Sequence, residues 1–181
     1  MIKGEKVKIR VIDLEDINIL YKWWTDPKVM DHAGFKYGLQ QSYTSHKNNL
    51  LNEINDKDLW RTSRRFIILD ENDNPIGEVN YGGYSKLSRK CHIGIKICEI
   101  SEQGKGYGED VLRHFITYLF DTLNLNKIEL DTMIDNKRSQ SLYKKLGFKE
   151  IGICRASFYD SRTRDYSDSV LFDLLESEWK Y

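Results

Sequence analysis

The sequence predicts an α+β fold in which one helix crosses over between neighbouring strands of a mixed sheet. Two observations carry this. Over residues 65–98, three apolar or alternating runs follow one another with short polar connections, which reads as an antiparallel meander. The period then changes from two to 3.6. Val111, Leu112, Phe115, Ile116, Leu119, Phe120 and Leu123 form one apolar stripe, and the strand-like run KIELDTMI follows it. A helix between two strand patterns is the signature of a crossover connection.

Each element has its own local signal. Val7, Ile9 and Val11 alternate with Lys8 and Arg10, a half-buried strand. Asp13 reads as an N-cap, with Asp16 three residues on, before a helix through Ile17, Leu20, Tyr21 and Trp24. That helix should stop near Asp26-Pro27, because the residue before proline avoids helical geometry. Residues 28–41 are expected to be irregular. Ser42 opens a second helix to about Ile54. RFIILD is a strand, ENDNPIG a turn, IGEVNYGGY a second strand, and CHIGIKICEI a third with Ile93, Ile95 and Ile97 on one face. NKRSQSLYKKLGF is a short helix stopped by Gly147. KEIGICRASFY and DSVLFDLL close the chain as strands around the polar loop DSRTRDYS.

Bulk properties narrow the function classes. The 181 residues are 40% apolar and 31% charged, with no linker or repeat, so one domain over 1–181 is expected. Basic and acidic residues balance at 28 each, which removes any global electrostatic case for a nucleic-acid or membrane partner. No apolar stretch approaches the ~20 residues of a spanning helix. The start, MIKGEKVKIR, is no signal peptide, so a cytoplasmic location is expected. Cys91, Cys98 and Cys154 lack metal-ligand spacing, so reduced thiols and no metal are expected.

The chemistry starts at SEQGKGYGED, residues 101–110, between a strand and a helix. The first N–H groups of a helix lack internal partners and carry the positive end of its dipole. Glycines let an anion approach them closely, and Lys105 adds a cation. A plain glycine turn and a diphosphate seat are both open on this stretch alone. The P-loop pattern is absent, and the dinucleotide pattern G-x-G-x-x-G fails at Glu109 and Val111.

Context decides. Gln103-Gly104-Lys105-Gly106-Tyr107-Gly108 resembles Q/R-x-x-G-x-G/A, the pyrophosphate loop of the GNAT N-acetyltransferases. Asn136 and SLYKKLGF (141–148) resemble that superfamily's second segment, N-x-x-(S/A)-x-x-x-Y-x-x-x-G-F. The opening IRVIDLEDINILYKWWTDPKVM, with its W-x-x-D-P-x-V run, looks like the RimJ/RimL branch. So does the close DYSDSVLFDLLESEW, which fits D-x-x-x-x-x-L-x-x-x-E-W.

The resemblance implies a GNAT fold: a mixed central sheet flanked by helices, with a splayed parallel strand pair forming the cleft for acetyl-CoA, the co-substrate. Backbone groups of Ile97 and Cys98 would pair with the pantetheine arm. Amides of Gly104, Lys105, Gly106, Gly108 and Glu109 would hold the pyrophosphate, in a loop completed by Gln103 and Tyr107. Asn136, with Ser141 nearby, would bind the arm. Tyr143 would protonate the departing thiolate in a direct transfer. Glu99 is taken as general base, with Glu78 and His92 as rivals. An acetyl-cysteine route through Cys98 is set aside. Trp24, Phe35, Glu78 and Tyr81 are expected at the acceptor, built from residues 24–45 and the loop 159–168. The acceptor itself is a primary amine, either a protein N-terminus or a small molecule such as a polyamine or aminoglycoside. A homodimer through a C-terminal sheet edge is left open. The rival of another class is a non-catalytic acyl-CoA-binding regulator. A nucleotide-binding module is weaker.

Overall fold

A computed structural model describes residues 1–58, 61–160 and 162–181; residues 59, 60 and 161 and the side chain of His32 lie outside the description. The elements run β1 (Ile2–Lys3), β2 (Lys8–Val11), α1 (Ile17–Thr25), α2 (Pro27–Met30), α3 (Tyr43–Asn55), β3 (Arg64–Leu69), β4 (Pro75–Ser85) and β5 (Lys90–Ile97). They continue with α4 (Tyr107–Asp121), β6 (Lys127–Met133), α5 (Lys137–Lys145), β7 (Lys149–Asp160) and β8 (Asp165–Leu175).

The local signals explain most boundaries. Asp13 and Asp16 form a reciprocal capping box around a 3-10 turn that leads into α1. Arg10 then clamps the Asp16 carboxylate from β2, with contacts of 2.6 and 2.9 Å. Ser42 caps α3 by accepting from Ser45 N. The segment after Asp26 is not wholly irregular, as the sequence led us to expect. Asp26 ends α1 and its side chain caps α2, where Pro27 takes a first-turn position that needs no N–H donor.

The strands form one eight-stranded sheet in the order β1-β2-β3-β4-β5-β6-β8-β7. Every neighbouring pair is antiparallel except β5 and β6, which α4 connects in sequence. Their parallel register runs from Lys90↔Lys127 to His92↔Glu129 and stops there. Beyond His92 the two strands part. This gap is the fold's main consequence for function.

The sheet buries both faces. Phe66, Ile68, Val79, Tyr81 and Ile93 pack with the α4 residues Val111, Leu112, Phe115 and Ile116 on one face. Ile67 and Leu69 of the same β3 pack with Leu20, Trp23, Trp24 and Leu50 of α1 and α3 on the other. β3 therefore reads as a continuous apolar run, as a strand covered on both sides must. β7 is the outer strand, irregular near Glu150/Gly152 and Cys154/Phe158, and it leaves Ile151 and Ile153 exposed. No described helix is long and apolar enough to cross a membrane.

Candidate active site

Alternation along β5 sorts its residues onto two faces. Ile93, Ile95 and Ile97 lie with the α4 core, while His92, Gly94 and Lys96 face the side of α1 and α2. The backbone is sorted too. Cys98 N donates to Ile76 O at 2.8 Å, so the flanking pair Gly77↔Ile97 is a non-hydrogen-bonded one. Ile95 and Ile97 then point their own N–H and C=O away from β4, into the gap towards β6.

Two pockets open on that gap from opposite faces. One, of about 490 Å³, lies on the α4 side between Ile95, Ile97, the glycine loop and α5. The other, of about 360 Å³, is lined by Glu78, Asn80, His92, Asp131, Phe35 and Phe158, among others. Ile95, Lys96, Asn136, Ser139 and Tyr143 line both, so the two meet there.

The first pocket has the backbone geometry of an anion seat. Gly104 and Gly106 have φ of 84° and 89°, left-handed values that side chains resist. Gly106 is the N-cap of α4 and offers no side-chain cap, so the first-turn amides of Tyr107, Gly108 and Glu109 remain for a ligand. Gly108 is different. Its φ is not positive, and an added Cβ would meet nothing nearer than Leu142 Cδ2 at 3.7 Å. Nothing within the chain demands a glycine there, and the bare backbone leaves room for an anion to approach closely. Gln103 donates from Nε2 to Ile97 O at 2.9 Å and ties the loop to the end of β5. These features fit the pyrophosphate and pantetheine of acetyl-CoA.

Several expected residues need correction here. The Lys105 ammonium is turned to Glu102, 2.9 Å from both oxygens, and Arg138 of α5 lines the pocket beside the glycine loop. Ser141 is exposed and donates to Lys137 O; Ser139 lines the cleft instead. It occupies the serine place of the second motif, which the sequence itself could have supplied. Cys98 is 2% exposed within the α1 and α3 core, and its N–H is already bonded to Ile76. Burial pushes its thiol far above the ordinary value. Glu109 lines the pocket with its carboxylate on Lys145 and Arg113, and the bond from Lys145 holds it below the usual carboxylate range.

The second pocket is acidic. Glu78 is 5% exposed. Its Oε1 accepts from Trp24 Nε1 at 2.9 Å and lies 2.7 Å from Lys96 Nζ. Its Oε2 is buried without a hydrogen-bond partner among the described residues. Asp131 was missed in the sequence. It accepts from His92 Nε2 at 2.9 Å, and that bond holds its carboxyl below the ordinary value. Phe35, 43% exposed, and Phe158 form one wall. Near that wall Asp160 links residues 34–38 to β7: Tyr37 donates to it at 3.1 Å, and Lys36 lies 3.2 Å away.

Three more expectations fail on this side. Tyr81 is 1% exposed, on the α4 face of β4 against Phe66 and Tyr84, opposite to Glu78. Trp24 stands behind Glu78 as its hydrogen-bond donor and is not a pocket wall. Glu99 accepts from Trp23 Nε1 at 2.8 Å and pairs with Lys22 at 3.7 Å, and it lines neither pocket. Ser161, within the loop expected to border the acceptor, lies outside the described residues.

Tyr143 sits where the pockets join. It is 6% exposed and packed against Phe148 and Phe172, with Ser139 lining the same junction. Burial pushes the phenol up to about 12, so it stays protonated across the neutral range.

Residues 6–149 match the family model described as an acetyltransferase (GNAT) domain. The chain belongs to the GNAT acetyltransferase family. It is 30% identical over 178 residues to the uncharacterized N-acetyltransferase p20 of Bacillus licheniformis, covering 97% of this chain and 96% of that protein. It is 26% identical over 177 residues to the spermidine N(1)-acetyltransferase of Vibrio cholerae, covering 97% and 96%. The crystal structure of spermidine N-acetyltransferase from Vibrio cholerae in complex with CoA and spermine shares the fold. Its TM-score is 0.83 at 24% identity, covering 95% of this chain and 96% of that one. This GNAT protein is an acetyl-CoA-dependent N-acetyltransferase with the expected mixed sheet and splayed parallel pair.

Proposed function

We propose that the enzyme acetylates a small cationic amine of polyamine type by direct transfer. The observation that carries the reading is the junction at Tyr143. An anion seat opens to one side of it, and a pocket holding an unpartnered carboxylate oxygen, Glu78 Oε2, opens to the other. The Asp131 carboxylate suits the cationic remainder of such a molecule and Glu78 Oε2 its reacting amine, a volume of about 360 Å³ suits a small molecule, and the Vibrio cholerae relative is named for spermidine. The terminal sequence motifs ally the chain with the RimJ/RimL branch.

Each residue has a defined task in this reading. Acetyl-CoA supplies the acetyl group as a thioester. The amides of Tyr107, Gly108 and Glu109 hold its pyrophosphate, with Arg138 as the nearby cation. Ile95 and Ile97 bind the pantetheine arm as an added strand would, and Asn136 faces the same arm from α5. Glu78 Oε2 accepts an N–H of the acceptor and takes the proton released as the C–N bond forms. Tyr143 gives its phenolic proton to the sulfur as the C–S bond breaks. Cys98, buried and neutral, takes no part.

A panel of spermidine, spermine, aminoglycosides and short peptides, read by release of CoA thiol, tests this. Turnover is expected with the polyamines and is lost in Glu78→Gln. Turnover confined to peptides would replace the acceptor with a protein N-terminus. No thiol release with any amine, despite tight acetyl-CoA binding, would leave the acyl-CoA-binding regulator.

A further inference from the structure

Lys96 has no role in the scheme above, yet it lies at the junction of the two pockets. Its ammonium is 2.7 Å from Glu78 Oε1. It also lies 5.9 Å from the Trp24 ring centroid and 3.6 Å from Met30 Sδ, which pack beside it. Its side chain is 18% exposed and that of Glu78 is 7% exposed, so water screens the pair little. Trp24 and Lys96 between them occupy Oε1 and leave Oε2 to the acceptor.

We propose that Lys96 is a positioning residue that makes Glu78 a seat for the neutral amine rather than a trap for the ammonium ion. This rests on the reading of Glu78 as the acceptor's anchor. A lone buried carboxylate holds an ammonium ion as a salt bridge, and the ammonium ion has no lone pair with which to attack a thioester. Glu78 already carries one cation. An acceptor nitrogen bonded to Oε2 stands roughly 5 Å from the Lys96 ammonium, and a like charge at that range disfavours the protonated form. The proton leaves to solvent as the amine binds. The amine that remains donates an N–H to Oε2 and directs its lone pair into the gap.

The surrounding charges leave this task to Lys96. Arg65 of β3 lies 4.7 Å over the Trp24 ring and is engaged by Glu53 of α3. His46 of α3 packs on the edge of Trp24 at 5.0 Å, and burial lowers its pKa, so it stays neutral. Cys98, beyond the end of β5, is held as the thiol. Within the pocket, His92 and Asp131 pair with each other, and Tyr143 of α5 is neutral.

The test is the pH dependence of kcat at saturating spermidine and acetyl-CoA in wild type, Lys96→Met and Lys96→Arg. kcat reports the groups that titrate in the ternary complex. In Lys96→Met the acid limb moves alkaline by about one to two pH units, so kcat at pH 7 falls about 10- to 100-fold and recovers at the alkaline plateau. KM for spermidine at pH 7 falls as well, because the ammonium form is now held. Lys96→Arg keeps the wild-type limb. A Lys96→Met enzyme whose rate falls alike at every pH, or whose spermidine KM rises, overturns the role of Lys96 and leaves Glu78 as anchor. A wild-type enzyme silent towards spermidine at every pH overturns the acceptor reading, and this inference with it.

Discussion

Replacing Gly108 with alanine should make the protein more stable and a poorer binder of acetyl-CoA. The backbone at 108 needs no glycine, and a new Cβ would make only an ordinary contact, 3.7 Å from Leu142 Cδ2. A glycine-to-alanine change at a compatible helical site stabilises by about 0.4–1 kcal/mol, mainly by restricting the unfolded chain. For a chain of this size that raises Tm by about 1–4 °C. The same methyl stands on the amide surface proposed to receive the pyrophosphate. Displacing the phosphate from one hydrogen bond to a charged group loses about 1.5–3 kcal/mol, or roughly 10- to 150-fold in affinity. Thermal unfolding without ligand and calorimetric titration with CoA measure the two effects separately. Unchanged CoA affinity would refute the reasoning, because the glycine would then serve no ligand. A fall in Tm would refute the premise that the helix start accepts a side chain.

Tyr143→Phe should lower kcat by about 10- to 1000-fold, within the range of lost general acid catalysis, while acetyl-CoA affinity stays close to wild type. Equal loss of both would make the phenol a binding group. Because the folded phenol is pushed up to about 12 from 10.0, its contribution to stability is complete below about pH 10. It is lost as pH rises towards 12, so the Tm gap between wild type and Tyr143→Phe should be constant to pH 10 and then shift against the wild type. Trp24→Phe removes the Nε1 donor to Glu78 but keeps Lys96 there; kcat/KM for the amine should fall about 10-fold with CoA binding intact. Cys98→Ala should keep activity and lose about 1 kcal/mol of stability to a small cavity; abolished turnover in a well-folded variant would restore an acetyl-cysteine.

The elements were legible where each carries its own period or cap. Ser42, the Asp13–Asp16 box and the α4 stripe needed no tertiary information. α2 was missed because proline reads as a stop, and only the Asp26 side chain shows that the same dipeptide also starts a helix. The glycine loop was readable because unusual backbone geometry is what closely spaced glycines announce, and Gly104 and Gly106 are left-handed. The pocket proposed for the acceptor was not. β4 is covered on both faces, so alternation separates Glu78 from Tyr81 without saying which one meets the pocket. The partners of Glu78 are Trp24 and Lys96, one of them 54 positions away. Glu99 follows the end of β5, where the chain turns towards Trp23 and leaves the gap. Ser141 and Ser139 differ by two helical positions, a spacing that sends side chains to different sides.

Where β5 and β6 part, the sheet becomes a wall with one opening, and in the proposed reading the two substrates reach it from opposite sides. Neither blocks the other's approach. An amine already seated on Glu78 leaves the glycine loop accessible, and a bound thioester leaves the acidic mouth accessible. Steady-state kinetics should therefore give intersecting rather than parallel double-reciprocal lines. Inhibition by a dead-end analogue of either substrate should not depend on prior binding of the other.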